Sequence, residues 1–161
     1  MNYQQNNNNN SIKENRLVQI PTGHVKLGNL NIPNGAQGIV LFAHGSGSSR
    51  HSPRNKYVAQ ILQDSSIATL LIDLLTEEEE EVDIQTLQLR FDIDLLAQRL
   101  LGATDWLQKE SETKNLKIGY FGASTGAAAA LIAAAQRQQL VKAIVSRGGR
   151  PDLAGSANLS G

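Results

Sequence analysis

The sequence predicts an α/β protein with a doubly wound, mostly parallel sheet. Three short runs, residues 38–43, 67–73 and 116–121, are apolar on both faces, and helical patterns lie between them. Helices cover both faces of a parallel sheet, so its strands read as continuous apolar runs. Because strands and helices alternate along the chain, we expect the strands to pair in parallel through crossover helices.

The N-terminal part of the chain departs from this pattern. Residues 1–14 include an uncharged run of Gln and Asn that cannot bury apolar surface, and we expect a disordered tail there. Residues 16–20 and 24–32 flank a Pro-Thr-Gly turn and predict a leading antiparallel hairpin at the edge of the sheet. Residues 15–161 are expected to form one partial domain.

Helical periodicity fills most of the connections between strands. Residues 53–63 begin with a proline, which favours the first turn of a helix. Apolar side chains at spacings of three and four predict a long amphipathic helix over residues 86–109. An alanine-rich helix over 127–137 precedes a fourth parallel strand at 140–146. The acidic run 77–81 is predicted to be a solvated excursion.

Composition excludes several classes of function. Fifteen basic and fifteen acidic residues are spread along the chain without a basic block, which argues against a nucleic-acid binder. The absence of cysteine excludes disulfides and a cysteine nucleophile. The histidines are His24, His44 and His51, and their spacing matches no metal motif, so no metal or other cofactor is expected.

Targeting and assembly signals are equally sparse. No apolar run reaches the roughly 20 residues of a membrane span, and the N-terminus does not resemble a signal sequence. We therefore expect a cytoplasmic protein without a membrane partner. No feature of the sequence indicates an oligomeric state.

The motif Gly122-Ala123-Ser124-Thr125-Gly126 joins a predicted buried strand to a predicted helix. That setting is what a nucleophile elbow requires: a tight turn that holds a serine above the carboxyl end of the sheet, with small neighbours. The simpler interpretation is a tight turn that the two glycines make possible, with a serine that only caps the helix. The strand–turn–helix context favours Ser124 as a nucleophile.

A nucleophilic serine also needs two backbone N–H groups that stabilise the oxyanion. The first is expected from Thr125, which follows the nucleophile at a helix N-terminus. The second should come from the loop after the first central strand, from either Gly45 or Ser46. The small residues there allow the backbone to approach a substrate, although an ordinary glycine turn has the same composition.

Three stretches make a family resemblance specific. They are the stretch FAHGSGSSRHSPRN (42–55), the stretch GYFGASTGAA (119–128) and the stretch SRGGRPDLA (146–154). In this order they resemble the dienelactone hydrolase-like branch of the α/β-hydrolases, over residues 15–157. The resemblance implies the α/β-hydrolase fold and hydrolysis of a small-molecule ester, lactone or related acyl bond through an acyl-enzyme on Ser124. The enzyme that names the family has a cysteine at this position, so the serine resembles the wider branch.

The sequence departs from that family in its catalytic triad. α/β-Hydrolases place the acid and then the histidine after the nucleophile, but no histidine follows Ser124 here. The only later carboxylate is Asp152, and a loop or cap role fits it better than that of triad acid. His44 is implied to be a structural part of the His-Gly turn. We therefore expect a fold truncated after the strand at 140–146, poor solubility and a crippled active site.

Alternatives remain open at the level of function. Arg50, Arg54 and Arg147 lie on predicted active-site loops and could bind an anionic substrate, whereas bracing a loop is the more ordinary role. A non-catalytic binding or interaction module, or a degenerate fragment that retains the fold, is the alternative to a hydrolase. Nucleotide binding is disfavoured, because the glycine spacing around Ser124 does not match a dinucleotide fingerprint.

Overall fold

The computed structural model describes residues 15–22, 24–44, 50–86 and 92–147. The predicted tail and the residues after 147, including Asp152, lie outside this range. The described strands are β1 (Arg16–Thr22), β2 (His24–Asn31), β3 (Gly38–Ala43), β4 (Ala68–Ile72), β5 (Lys117–Ala123) and β6 (Val141–Arg147). The described helices are α1 (Pro53–Asp64), α2 (Glu77–Thr86), α3 (Ile93–Lys109) and α4 (Thr125–Gln136).

The strands form one six-stranded sheet in the order β1-β2-β4-β3-β5-β6. The leading hairpin pairs antiparallel, first within itself and then with β4, while the pairs β3–β4, β3–β5 and β5–β6 are parallel. This topology confirms the predicted fold class. At the carboxyl edge, Ala43 lies opposite Gly122, which in turn lies opposite Ser146.

Apolar side chains form a core on each face of the sheet, because successive residues of a strand point to opposite sides. Leu41 belongs to the larger cluster, which also includes residues of α3 and α4. Its neighbour Phe42 packs in the smaller cluster with Ala59 of α1 and with Phe121, whose ring centroid is 5.1 Å from that of Phe42. Helices therefore cover both faces of the sheet.

The acidic run that was predicted to be a solvated excursion is the start of α2. Glu77, Glu78 and Glu81 are exposed, as expected. Thr76 and Glu79 form a capping box: the Glu79 N–H donates to Thr76 Oγ1 at 3.1 Å, and the Thr76 N–H donates to Glu79 Oε1 at 2.9 Å. These bonds satisfy donors at the helix start, so the run is helical.

The predicted start of the long amphipathic helix at residue 86 was wrong. Helix α3 begins at Ile93, where the side chain of Asp92 accepts a hydrogen bond from the Leu95 N–H at 3.1 Å. An aspartate at this position satisfies a donor of the first turn and sets the helix start. The predicted end at Lys109 is confirmed.

Strand β6 has an exposed apolar surface. Among the described strands it pairs only with β5, and the exposed fractions of Ile144 and Val145 are 37% and 55%. The parallel strand predicted for this segment is thus confirmed. Within that part, no helix has the length and apolar character that crossing a membrane requires.

Candidate active site

Ser124 lies between the end of β5 and the first residue of α4, as the motif predicts. Its backbone has φ 54° and ψ −127°, in the positive-φ region that residues with a side chain seldom adopt. Such strain costs about 1–3 kcal/mol and persists only where the surroundings enforce it. A strained serine on a strand-to-helix turn is the geometry of a nucleophile elbow.

Two glycines make this turn possible. A Cβ on Gly126 would stand 2.1 Å from the carbonyl oxygen of Ala43, and a Cβ on Gly122 would stand 2.6 Å from the Cα of Ala127. Both neighbours are backbone atoms, which a rotamer change cannot move away. The turn packs so tightly that these positions exclude a side chain.

Backbone hydrogen bonds hold the elbow against the sheet. The Ser124 N–H donates to the carbonyl of Arg147 at 3.4 Å, and the Ala127 N–H donates to the Ser124 carbonyl at 3.1 Å. The four alanines at the start of α4 are fully buried, which brings the helix close to the strands. The ends of β5, β6 and α4 thus jointly fix the backbone of Ser124.

Thr125, the predicted oxyanion donor, is the first residue of α4 and is 2% exposed. The N-terminus of a helix is the positive end of its dipole, so a main-chain N–H there stabilises a nearby negative charge. The Thr125 hydroxyl oxygen is buried and has no hydrogen-bond partner among the residues that the structure describes. The oxyanion role of the Thr125 N–H stays a prediction.

Gly45 and Ser46, the other predicted oxyanion donors, lie outside the described residues. The residue before them, His44, is 5% exposed, and its Nε2 accepts a hydrogen bond from the Leu74 N–H at 3.1 Å. Because Nε2 accepts, the imidazole is neutral and carries its proton on Nδ1. This contact agrees with a structural role for His44.

The three candidate arginines have different environments. The Arg50 N–H donates to Asp73 Oδ1 at 2.8 Å, and its Nε donates to Asp73 Oδ2 at 3.0 Å. Arg54 is exposed on α1, and Arg147 is half-buried at the end of β6. Binding of an anionic substrate by these side chains stays a prediction.

Sequence reasoning missed Asp73 and Leu74, which follow β4 at the same edge of the sheet. An aspartate directly after a buried strand was the signal that could have found Asp73, since carboxyl ends of parallel strands gather functional groups. Within the described residues, no group of three or more His, Asp or Glu side chains could hold a metal ion.

Comparison with known proteins agrees with this geometry. The crystal structure of a dienelactone hydrolase from Anabaena variabilis superimposes on this chain with a TM-score of 0.87, over 89% of this chain and 67% of that one. The sequence identity between the two proteins is 66%. An esterase of Pyrococcus furiosus shares the fold at 22% identity and a TM-score of 0.68, over 84% of this chain and 50% of that one. A dienelactone hydrolase-like promiscuous phosphotriesterase from metagenomic libraries also shares the fold. Its sequence identity is 22% and its TM-score is 0.65, over 83% of this chain and 58% of that one.

Sequence relatives give a second comparison. Over 141 residues the chain is 56% identical to a protein of two Mycobacterium tuberculosis strains that is provisionally named a phosphoribosyl transferase. The match covers 87% of this chain but only 31% of those proteins, so the chain spans about a third of their length. No family model matches the chain.

Fold and elbow together define the class: this is a protein of the α/β-hydrolase fold. Within that class, the chain belongs to the dienelactone hydrolase-like family.

Proposed function

We propose that Ser124 is the nucleophile of a serine hydrolase that acts on ester, lactone or related acyl bonds of small molecules. The observation that carries the proposal is the backbone of Ser124, with φ 54° at a strand-to-helix turn. A serine that only capped a helix would not need this conformation, because capping residues have ordinary negative φ. Strain of this kind concentrates at functional sites.

The reaction would proceed in two acyl transfers. Ser124 Oγ bonds to the acyl carbon, the bond from that carbon to the leaving oxygen breaks, and the serine proton ends on the leaving alcohol. Water then attacks the acyl-serine, releases the acid and restores the hydroxyl. In a lactone, acid and alcohol remain parts of one product.

Each transfer passes through a tetrahedral oxyanion. We assign its stabilisation to the Thr125 N–H, at the start of α4, and to the N–H of Gly45 or Ser46. Support comes from the position of Ala43, whose carbonyl lies against Gly126 and thereby brings the end of β3 next to the elbow. Removal of one such donor typically slows acyl transfer about 10²–10³-fold.

Proton transfer distinguishes the hydrolase from its alternative. No histidine follows Ser124 in the sequence, and His44 already accepts a hydrogen bond through Nε2. We therefore propose that the 161 residues alone have a correctly shaped nucleophile with little activation, because a serine without a base is a poor nucleophile. The alternative is a non-catalytic binding module that retains the fold, and such a module needs no base.

We propose no phosphoribosyl transfer for this segment. The relatives with that provisional name are about three times as long as the matched region, so the name describes proteins of which this chain resembles one part. The Ser124 elbow is a feature of acyl-transfer enzymes.

Fluorophosphonate labelling, read by intact mass, tests the proposal. In the labelling step Ser124 Oγ bonds to phosphorus, fluoride leaves and the serine proton passes to a base. We expect slow labelling in buffer and labelling at least about tenfold faster when imidazole supplies a general base. The Ser124→Ala variant should remain unlabelled in both conditions.

Two results would contradict the proposal in different ways. A folded parent chain that is not labelled even with imidazole would refute Ser124 as a nucleophile and support the binding module. Rapid labelling without imidazole would show that a base is already present, and the account of an incomplete triad would be wrong.

The arginines are tested with the same reaction. We propose that Arg54 and Arg147 bind a carboxylate or phosphate group of the substrate. If so, Arg147→Ala should slow labelling by a negatively charged fluorophosphonate and leave labelling by a neutral one unchanged. Equal effects on both reagents would show that Arg147 is structural.

A further inference from the structure

The connection between β2 and β3 contains a tight turn, residues 33–36. The Ala36 N–H donates to the Pro33 carbonyl at 3.3 Å, and Gly35 has φ 73°. A positive φ at the third residue is what a type II turn requires, and glycine adopts it without steric cost. Asn34 and Gly35 therefore occupy the two central positions of the turn, and both residues are exposed.

The two central residues of this turn have few constraints. Neither the Gly35 N–H nor the Asn34 side chain makes a hydrogen bond to any residue that the structure describes. Apart from the chain neighbours of Gly35, a Cβ added to this glycine would meet no atom within 4 Å. The Gly35 nitrogen is therefore accessible to the side-chain amide that precedes it.

We propose that Asn34 is a site of self-modification, at which the Gly35 nitrogen attacks Cγ of Asn34. The new bond closes a five-membered succinimide ring, the bond from Cγ to the side-chain nitrogen breaks, and ammonia leaves with the proton of the Gly35 N–H. Water then opens the ring at one of its two carbonyls. Opening at the main-chain carbonyl gives isoaspartate, whose backbone passes through Cβ and Cγ, and opening at Cγ gives aspartate.

The residue that follows an asparagine decides whether this attack is possible. Asn115 is the instructive contrast, because it too is exposed and lies on a turn. Its successor Leu116 has a bulky side chain, and the Leu116 N–H donates to the Thr113 carbonyl at 3.0 Å. A hydrogen bond of this kind must break before the nitrogen can attack, which slows the reaction.

A buried asparagine is protected in the same way. Asn55 is 4% exposed in α1, and the N–H of the next residue, Lys56, donates to the Ser52 carbonyl at 3.0 Å. Asn34 therefore differs from Asn55 and Asn115 in two respects. Its successor has no side chain, and the N–H of that successor has no hydrogen-bond partner among the described residues.

Contacts on both sides of the turn confine the effect of the modification. Ile32 belongs to the larger core, and the Gln37 carbonyl accepts a hydrogen bond from the Lys117 N–H at 3.0 Å. We therefore expect the sheet to tolerate the additional backbone atom of isoaspartate. An isoaspartyl carboxylate on an exposed turn is accessible to an enzyme that methylates such groups with S-adenosylmethionine, and the modified chain should be a substrate for that class of enzyme.

Peptide mapping of the full chain after incubation at mildly alkaline pH tests the proposal. The peptide with Asn34 should gain about one dalton as its amide becomes a carboxylate, and isoaspartyl methyltransferase should methylate it. Asn115 should react at least about tenfold more slowly. In the Asn34→Gln variant this peptide should keep its mass, because the longer side chain would have to close a six-membered ring.

A synthetic peptide of residues 30–39 separates the effect of the turn from that of the sequence. Because the Gly35 N–H has no hydrogen bond to break in the described structure, the folded chain should react within about tenfold of the peptide. Circular dichroism of the incubated chain confirms that the sheet is retained during the reaction.

Three results would overturn the proposal. The first is an unmodified Asn34 in the folded chain after the free peptide has been converted, which would show that the turn protects the amide. The second is equal conversion of Asn34 and Asn115, because the successor residue would then have no influence. The third is a mass gain at Asn34 without methylation, which would indicate direct hydrolysis of the amide. None of these outcomes depends on the reactivity of Ser124.

Discussion

Gly126 and Ala43 are in such close approach that a Cβ on Gly126 would stand 2.1 Å from the Ala43 carbonyl oxygen. This contact joins the start of α4, directly after Ser124, to the end of β3. The backbone position of the proposed nucleophile therefore depends on a close packing contact with β3.

Gly126→Ala should destabilise the fold by about 3 kcal/mol or more, because the new methyl group overlaps backbone atoms that must shift. Urea unfolding measures the change. Gly119→Ala is the matched control: its Cβ would meet the Ala143 carbonyl at 3.5 Å, an ordinary contact, and its stability should not fall. Equal stability of the two variants would show that the close approach does not constrain the turn.

Ser124→Gly should be more stable than Ser124→Ala by about 1 kcal/mol. Glycine adopts φ 54° without steric cost, whereas alanine retains the strain of the serine. Thermal unfolding of both variants checks this, and both should be inert to fluorophosphonate. A Ser124→Ala variant at least as stable as Ser124→Gly would mean that the elbow stores no strain.

Arg99→Met should cost about 3 kcal/mol or more, since it removes the buried cation that pairs with the Glu79 carboxylate and donates to the Leu74 carbonyl. The control is Arg16→Met, which removes a half-exposed partner of Glu112 and should change stability by less than about 1 kcal/mol. Urea midpoints at neutral pH give both values. Similar losses in the two variants would contradict a bracing role for Arg99.

Tyr120 makes stability depend on pH at the alkaline end. Burial raises the pKa of its phenol from 10.0 to about 12, although the hydrogen bond with Thr104 acts in the opposite direction. The folded state thus holds its proton more tightly than the unfolded state. This contribution is complete below pH 10 and is lost as the pH rises towards 12, by about 2–3 kcal/mol.

Tyr120→Phe isolates that contribution. Thr104 still donates to the Leu100 carbonyl at 2.8 Å, so the variant should lose about 1 kcal/mol at neutral pH. Between pH 10 and 12 its free energy of unfolding should decline less steeply than that of the parent. Tyr57→Phe, at a residue that is 69% exposed, should follow the parent curve. Parallel curves for Tyr120→Phe and the parent would contradict the raised pKa.

Val145→Lys should reduce self-association. Val145 is 55% exposed on β6, an edge among the described strands, and a lysine on an edge strand opposes pairing with another chain. Sedimentation velocity compares the variant with Val145→Ile, which keeps the edge apolar. If both variants associate like the parent, the apolar surface of β6 does not drive association.

Much of the fold could be predicted because its signals are local. Parallel strands covered on both faces are continuous apolar runs, and β3, β4 and β5 were placed within two residues of their observed bounds. The start of α3 was missed, because amphipathic periodicity extends past a helix end and only the Asp92 cap marks it. Helix α2 was missed because five consecutive glutamates have no amphipathic pattern, and their helix depends on the capping box and on Arg99.

The candidate site was likewise predicted only in part from the sequence. The motif around Ser124 predicted the elbow, because a tight turn of this kind selects small residues within five positions. The pairs Asp73–Arg50 and Leu74–His44 could not be predicted, because 23 and 30 residues separate their members. Such contacts exist only once β3 and β4 lie side by side.

By itself, the sequence determined the order of the strands and the serine at the turn, because each depends on residue types at short spacing. Only the tertiary structure decided that Ser124 has strained backbone angles, that Gly126 lies against Ala43, and that Asp73 holds Arg50. Each of these depends on packing between segments that are far apart in the chain. Residue types at short spacing do not specify such packing, because it depends on how the folded segments are placed relative to one another.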